Sequence, residues 1–107
     1  MKDMDLFKVS DDEALERVKR DGMELRLIEH QTPEICMTAV KQDGYALRFV
    51  KEQTRELCLA AVKQSAYALV HVKDQTPELC LVAVRQNSDA LKFVRNKTPE
   101  IRLAAKR

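Results

Sequence analysis

The chain has 107 residues, with 19 Lys and Arg against 17 Asp and Glu, 45% hydrophobic residues, three Cys, three Pro, two Gly and no Trp. That length predicts one domain burying about 65% of the unfolded chain's surface, with no need of a metal or disulfides. A net charge of +2 is too small to signal a nucleic-acid or membrane binder, and 34% charged residues among ample Leu, Val and Ala exclude a disordered chain.

The opening MKDMDLFKVS places two acids before its first apolar pair, so no signal peptide is expected. Apolar runs such as Cys58 to Val62 are far too short to cross a membrane. A cytoplasmic protein with reduced thiols follows. Leu6, Phe7 and Val9 fall outside the periodicity of the remaining chain and are expected to lie across the first unit as an irregular lead.

From Ser10 onward the chain repeats every 22 residues. Ser10 to Gln31 is a diverged first copy. The next three read TPEICMTAVKQDGYALRFVKEQ, TRELCLAAVKQSAYALVHVKDQ and TPELCLVAVRQNSDALKFVRNK, and Thr98 to Arg107 begins a fifth. The first two of these three agree at 13 of 22 positions and each agrees with the third at 11. A fixed period of this length predicts a repeat architecture.

Each copy carries two helix-start signals. Thr32, Thr54, Thr76 and Thr98 are N-caps, followed in three cases by Pro at the first helical position, where its missing N–H is harmless. Glu34, Glu56, Glu78 and Glu100 then sit in the first turn, favourable to the helix dipole. Asp21, Asp43, Ser65 and Asn87 share a second N-cap position midway. Two helices of about ten residues per unit are predicted, each about 15 Å long. In the first helix Ile35, Cys36, Met37, Ala39 and Val40 span an apolar arc of about 200°, and in the second Tyr45, Ala46, Leu47, Phe49 and Val50 do the same. So wide an arc needs neighbours on two sides, which stacked antiparallel helix pairs supply. The predicted fold is all-α, an α-solenoid. One long coiled coil fails, because the two halves of a unit do not align at an offset of 11 and interior Pro costs about 3 kcal/mol.

The domain is expected to run over 1–107, with 10–31 an N-terminal capping repeat, 32–53, 54–75 and 76–97 internal repeats, and 98–107 a C-terminal capping half-repeat. The stripe of Ile35 and Ala39 becomes Glu13 and Arg17 in the first copy. The stripe of Cys36 and Val40 becomes Arg102 and Lys106 in the last. Terminal units of a solenoid need such polar faces.

Little here points to catalysis or to a bound metal or cofactor. Cys36, Cys58 and Cys80 are one repeat apart, too far to share a zinc or form a disulfide, and read as small buried hydrophobes. His71 replaces an aromatic and is expected near the level of Cys58. A Cys and His pair can act as nucleophile and base, but no orienting group or oxyanion site accompanies it. His30 falls at a polar, solvated position.

The basic residues Arg48, Lys51, Lys73, Lys92 and Arg95 form a ladder on the second helices. Residues 32 to 107 hold 13 basic against 8 acidic residues, whereas 1 to 31 hold 6 against 9. That asymmetry makes nucleic acid the alternative ligand. Positions that vary between copies, including the turn residues Asp43, Ser65 and Asn87 and the exposed Arg48 and Lys92, are candidate contacts for a protein partner. The expected function is a non-enzymatic protein-binding scaffold, monomeric in itself, with a ligand-free structural repeat as the remaining possibility.

AVKQDGYALRFV and AVKQSAYALVHV, with the recurring TPE(I/L)C, resemble a family of short bacterial and viral helical repeats catalogued as a domain of unknown function. The resemblance implies tandem helical repeats over nearly the whole chain from Asp12, and no activity or catalytic residues.

Overall fold

Helix-start chemistry recurs down the chain as five threonine or serine caps, each with a side-chain oxygen accepting from the backbone N–H three residues on. Ser10, Thr32, Thr54, Thr76 and Thr98 receive those of Glu13, Ile35, Leu57, Leu79 and Ile101. In the computed structural model, which describes residues 9–106, these caps open α1 (Asp11–Arg20), α2 (Pro33–Gln42), α3 (Arg55–Gln64), α4 (Pro77–Gln86) and α5 (Pro99–Ala105). The described residues are all-helical. Leu6 and Phe7 lie outside them, and Val9 packs half-buried against the core.

The second element of each copy differs from expectation. It is a six-residue 3-10 helix rather than a ten-residue α-helix: Gly22–Leu27, Gly44–Phe49, Ala66–His71 and Ser88–Phe93. At about 2 Å rise per residue each spans about 12 Å. One physical cause is visible. Residues i and i+3 eclipse in a 3-10 helix, so Gly44, Leu47 and Val50 form one buried edge, as do Ala66, Leu69 and Val72. A side chain also reaches the helix end: Gln53 Nε2 donates to the carbonyls of Leu47 (3.4 Å) and His71 (2.9 Å), the first of which also accepts the Val50 N–H. Six residues are too few to separate a period of 3.0 from 3.6.

Asp21, Asp43 and Asn87 cap these 3-10 helices by accepting from the N–H groups of Met23, Tyr45 and Asp89, each at 3.0 Å. Ser65 makes no such bond.

Each 3-10 helix packs between its own α-helix and the next one, and the α-helices pack in sequence order. The result measures 56 × 20 × 18 Å. Its radius of gyration of 15.4 Å exceeds the roughly 13 Å of a spherical domain this size. The core is a continuous column in which Ala39, Ala61 and Ala83, each 0% exposed, alternate with Val, Leu and Ile. No polar or charged residue among those described is buried. Where internal copies bury Ile35 and Ala39, the first copy presents Glu13 and Arg17 paired at 3.3 Å, and where they bury Cys36 and Val40 the last presents exposed Arg102 and Lys106.

Glycine has a steric role where two of the 3-10 helices meet the following α-helix. A Cβ on Gly44 would lie 2.5 Å from the Ala61 carbonyl oxygen of α3, and one on Gly22 would clash with the Ala39 carbonyl. The close approach lets Gly22 N–H donate to Gln42 Oε1 (2.7 Å) and Gly44 N–H to Gln64 Oε1 (2.6 Å). Ala66 occupies the equivalent place in the next copy, so this packing can absorb one methyl by local shift. Gly44→Ala is therefore expected to destabilise by about 1–3 kcal/mol, as overpacking does, and Gln64→Ala by about 1 kcal/mol. Urea unfolding of both variants measures this; an unchanged Gly44→Ala midpoint counts against the close approach.

Candidate functional site

The molecule has three long edges: the interunit loops, the 3-10 helices and the outer faces of the α-helices. Each gathers a different part of the repeat.

Along the loop edge, glutamine binds successive units together. Gln31, Gln53 and Gln75 each accept on Oε1 from the N–H twenty residues on, those of Lys51 (3.0 Å), Lys73 (3.0 Å) and Arg95 (2.9 Å). Their Nε2 groups donate to the carbonyls of Phe49 (2.7 Å), His71 (2.9 Å) and Phe93 (2.9 Å). The thiols of Cys36, Cys58 and Cys80 donate to the same Oε1 atoms at 3.5, 3.5 and 3.7 Å. Burial pushes all three thiols above their usual range, with the Asp74 charge adding to this at Cys58 and Arg95 partly offsetting it at Cys80. Such thiols are protonated at neutral pH and poor nucleophiles. The recurring cysteine thus supports the glutamine that joins two loops.

The 3-10 edge carries the aromatic and basic residues. Tyr45 meets the His71 ring at 6.1 Å, and Tyr67 meets Phe93 at 5.4 Å, both edge-to-face and both linking one copy to the next. His71 thus faces Tyr45 of the preceding copy, while the thiol of Cys58 bonds Gln53. Among the described residues no hydrogen bond joins Cys58 and His71. Arg48 lies over the Phe49 ring at 5.1 Å and Lys92 over Tyr67 and Phe93 at 5.8 and 5.7 Å.

The basic ladder is divided by the short helices. Arg48 and Lys92 stand on 3-10 helices, whereas Lys51, Lys73 and Arg95 lie beyond their ends. Lys51 Nζ donates to the Glu29 carbonyl (2.8 Å), and the Arg95 guanidinium donates to the carbonyls of Val72 (2.5 Å) and Lys73 (3.0 Å). These two side chains are turned back onto the preceding loop. The ladder therefore does not project as one face. Asp43 and Asn87 have their side chains engaged as caps, and Ser65 is half-buried.

His71 supplies a pH signature. Burial first, and the Arg48 charge second, lower its pKa from the ordinary value near 6.5. The folded state therefore binds the proton less readily than the unfolded chain. The contribution to stability is constant above about pH 6.5 and falls as pH drops through that value towards the lowered one. His71→Phe, which restores the aromatic found at Phe49 and Phe93, is expected to remove this acid-side loss. Thermal midpoints across that window test it; parallel curves for the two proteins contradict it.

The outer α edge is apolar along its centre line. Leu15, Met37, Leu59 and Leu81 are half-buried and Leu103 is 62% exposed. These residues share one repeat position. A groove of about 470 Å³ between α2 and α3 is lined by Met37, Lys41, Glu56, Leu59, Ala60, Lys63 and Gln64. A second of about 460 Å³ between α4 and α5 is lined by Arg85, Glu100, Leu103 and Ala104. Between them, at α3 and α4, Arg55 replaces the usual proline and forms a bidentate pair with Glu78, Nε to Oε1 at 3.0 Å and Nη2 to Oε2 at 2.6 Å.

Two complete copies and one residue of a third carry a family likeness. Residues 32–76 match the family described as Domain of unknown function (DUF4116). The DUF4116 match takes in the Gln53 and Cys58 bond, the Tyr45 and His71 contact and the α2/α3 groove. No curated protein and no solved structure matches the chain.

The glutamine ladder lies outside the sequence-based expectations, although the sequence carries a signal for it. Gln31, Gln53 and Gln75 immediately precede the helix-capping threonines at the 22-residue period. Met37 also changes place, from the buried arc to the groove wall. Among the described residues no His, Cys, Asp or Glu cluster of three could hold a metal, and no helix is long and apolar enough to cross a membrane.

Proposed function

We propose that this chain is an α-solenoid of stacked 22-residue helix pairs that binds another protein through the outer faces of its α-helices. The observation that carries the reading is the line of Leu15, Met37, Leu59, Leu81 and Leu103, one apolar residue per α-helix at the same repeat position, with grooves at two of the steps. A contiguous apolar strip at the surface, here half-buried along most of its length and bordered by charge, is a form that protein-binding surfaces take. The sequential packing of elements and the 56 Å length support the stacked architecture. The polar Glu13, Arg17, Arg102 and Lys106 support the expected division into repeats with atypical first and last copies.

A non-enzymatic role is supported by the cysteines, whose raised pKa and bonds to glutamine suit packing in a reducing, cytoplasmic setting. Nucleic-acid binding is the weaker reading, because Lys51 and Arg95 are turned onto backbone carbonyls rather than outward.

Affinity capture followed by mass spectrometry tests the proposal, comparing the wild-type chain with a Leu59→Glu, Leu81→Glu variant of matched thermal stability. Partners retained by the wild type and lost by the variant are expected; identical sets overturn the assignment of the α face. Titration with short oligonucleotides at low salt is expected to show no binding. Appreciable affinity falling steeply with added salt would favour the basic residues instead.

A further inference from the structure

The outer face of each α-helix has a fixed polarity. Glutamate stands at the N-terminal end (Glu34, Glu56, Glu78, Glu100), the apolar residue at the centre, and Lys41, Lys63 or Arg85 at the C-terminal end. These are positions i, i+3 and i+7 of each helix and therefore share a face. The α2/α3 groove shows all three kinds together, with Glu56, Met37, Leu59, Lys41 and Lys63 on its walls. The helix dipole favours each charge where it is. Stacking the helices turns these single preferences into an acidic row and a basic row on either side of one apolar strip.

We infer that the occupant of this strip is a second copy of the same chain, related by a two-fold axis along the long dimension of the molecule. The inference rests on the protein-binding reading above and names its partner. Rotation about that axis keeps each unit opposite its own copy and reverses the helix direction, so each glutamate row lies over a lysine and arginine row. A two-fold axis across the long dimension would instead set glutamate over glutamate. A displaced, head-to-tail arrangement would not close. The charges therefore select one of the two face-to-face dimers, and the centre is Leu59 with Ala60 and Leu81 with Val82 meeting their own copies.

The area is sufficient. Four helices about 15 Å long and one of about 10 Å, at spacings of about 10 Å, present roughly 700 Å² per copy, or about 1,400 Å² in all, within the range of specific interfaces. Glu78 is already bridged by Arg55, so Glu34 and Glu56 are the principal acidic partners. With the apolar side chains mostly half-buried, the association is weak and depends on the charge rows.

Sedimentation velocity of the full chain from micromolar to millimolar concentration is the test. A monomer and dimer equilibrium is expected at low salt, weakening as salt screens the rows. Lys41→Glu with Lys63→Glu makes both rows acidic; Glu34→Lys with Glu56→Lys makes both basic. Each double variant alone is expected to lose at least tenfold in self-association, and an equimolar mixture to form a one-to-one heterodimer. Circular dichroism of each variant verifies folding, and the salt dependence of the wild type gives a reading that needs no variant. A wild type that stays monomeric at millimolar concentration overturns the inference. So do row variants that dimerise as the wild type does, or a mixture that stays apart. A monomeric wild type that still captures a partner through Leu59 and Leu81 overturns the dimer alone, so the two readings fail separately.

Discussion

Replacing Gln53 by Leu is expected to destabilise the protein by about 2–4 kcal/mol, although the side chain is similar in size and only half-buried. Three groups lose their partner at once: the Lys73 N–H, the His71 carbonyl and the Cys58 thiol, while the Leu47 carbonyl loses a second bond and keeps the Val50 N–H. Each buried polar group left unpaired costs about 1–3 kcal/mol. Water reaches part of this site, which keeps the sum below the simple total. Cys58→Ala removes one weak bond and about one buried sulfur's packing, so about 1 kcal/mol is expected. Because the two residues share an acceptor, their effects should be less than additive in a double-mutant cycle. Urea unfolding of the three variants measures this. A Gln53→Leu change below about 0.5 kcal/mol, the range of an ordinary surface substitution, would mean that the loops are held by their flanking helices alone.

Leu47→Ala is the second large effect, at about 3 kcal/mol within the 2–5 kcal/mol range for deleting a buried leucine. Leu47 is 0% exposed in the second 3-10 helix, which is covered by its own α2 and by α3. The chain supplies its own control in Leu91, the same repeat position in the last full copy, which is only half-buried. Beside it stands α5, seven residues long where the others have ten. Leu91→Ala is expected to cost about half as much as Leu47→Ala, since less apolar surface leaves contact. Equal losses at the two positions would show that burial by the following unit does not set the energy.

The helix starts were the most legible part of the sequence. Residue type and spacing make Thr32, Thr54, Thr76 and Thr98 caps, and all four accept the bond their position implies. Capping is local chemistry, completed within four residues, so sequence alone carries it. The second element was legible as a helix start at Asp43 and Asn87 but not as a 3-10 helix. Its period of 3.0 shows only in which residues are buried between its own α-helix and the next one, a contact between groups distant in the chain.

The candidate surfaces were less legible still. Lys51 and Lys92 look alike in composition, yet one is turned onto the Glu29 carbonyl and the other stands over two rings. Met37 and Cys36 are neighbours on one apolar arc, yet Cys36 is buried under the loop and Met37 lines an open groove. An arc of 200° says that a helix has two neighbours and does not say which of its edges lies between them.

The sequence by itself determined the 22-residue period, the helix boundaries that caps define, and the all-helical class, because these follow from interactions among residues close in the chain. Only the tertiary structure decided that the second helix is a short 3-10 turn, that glutamine and cysteine tie successive loops together, and which apolar row is left on the outside. Those outcomes depend on groups about twenty residues apart meeting in space. The packing of each 3-10 helix between its own α-helix and the next one brings them together.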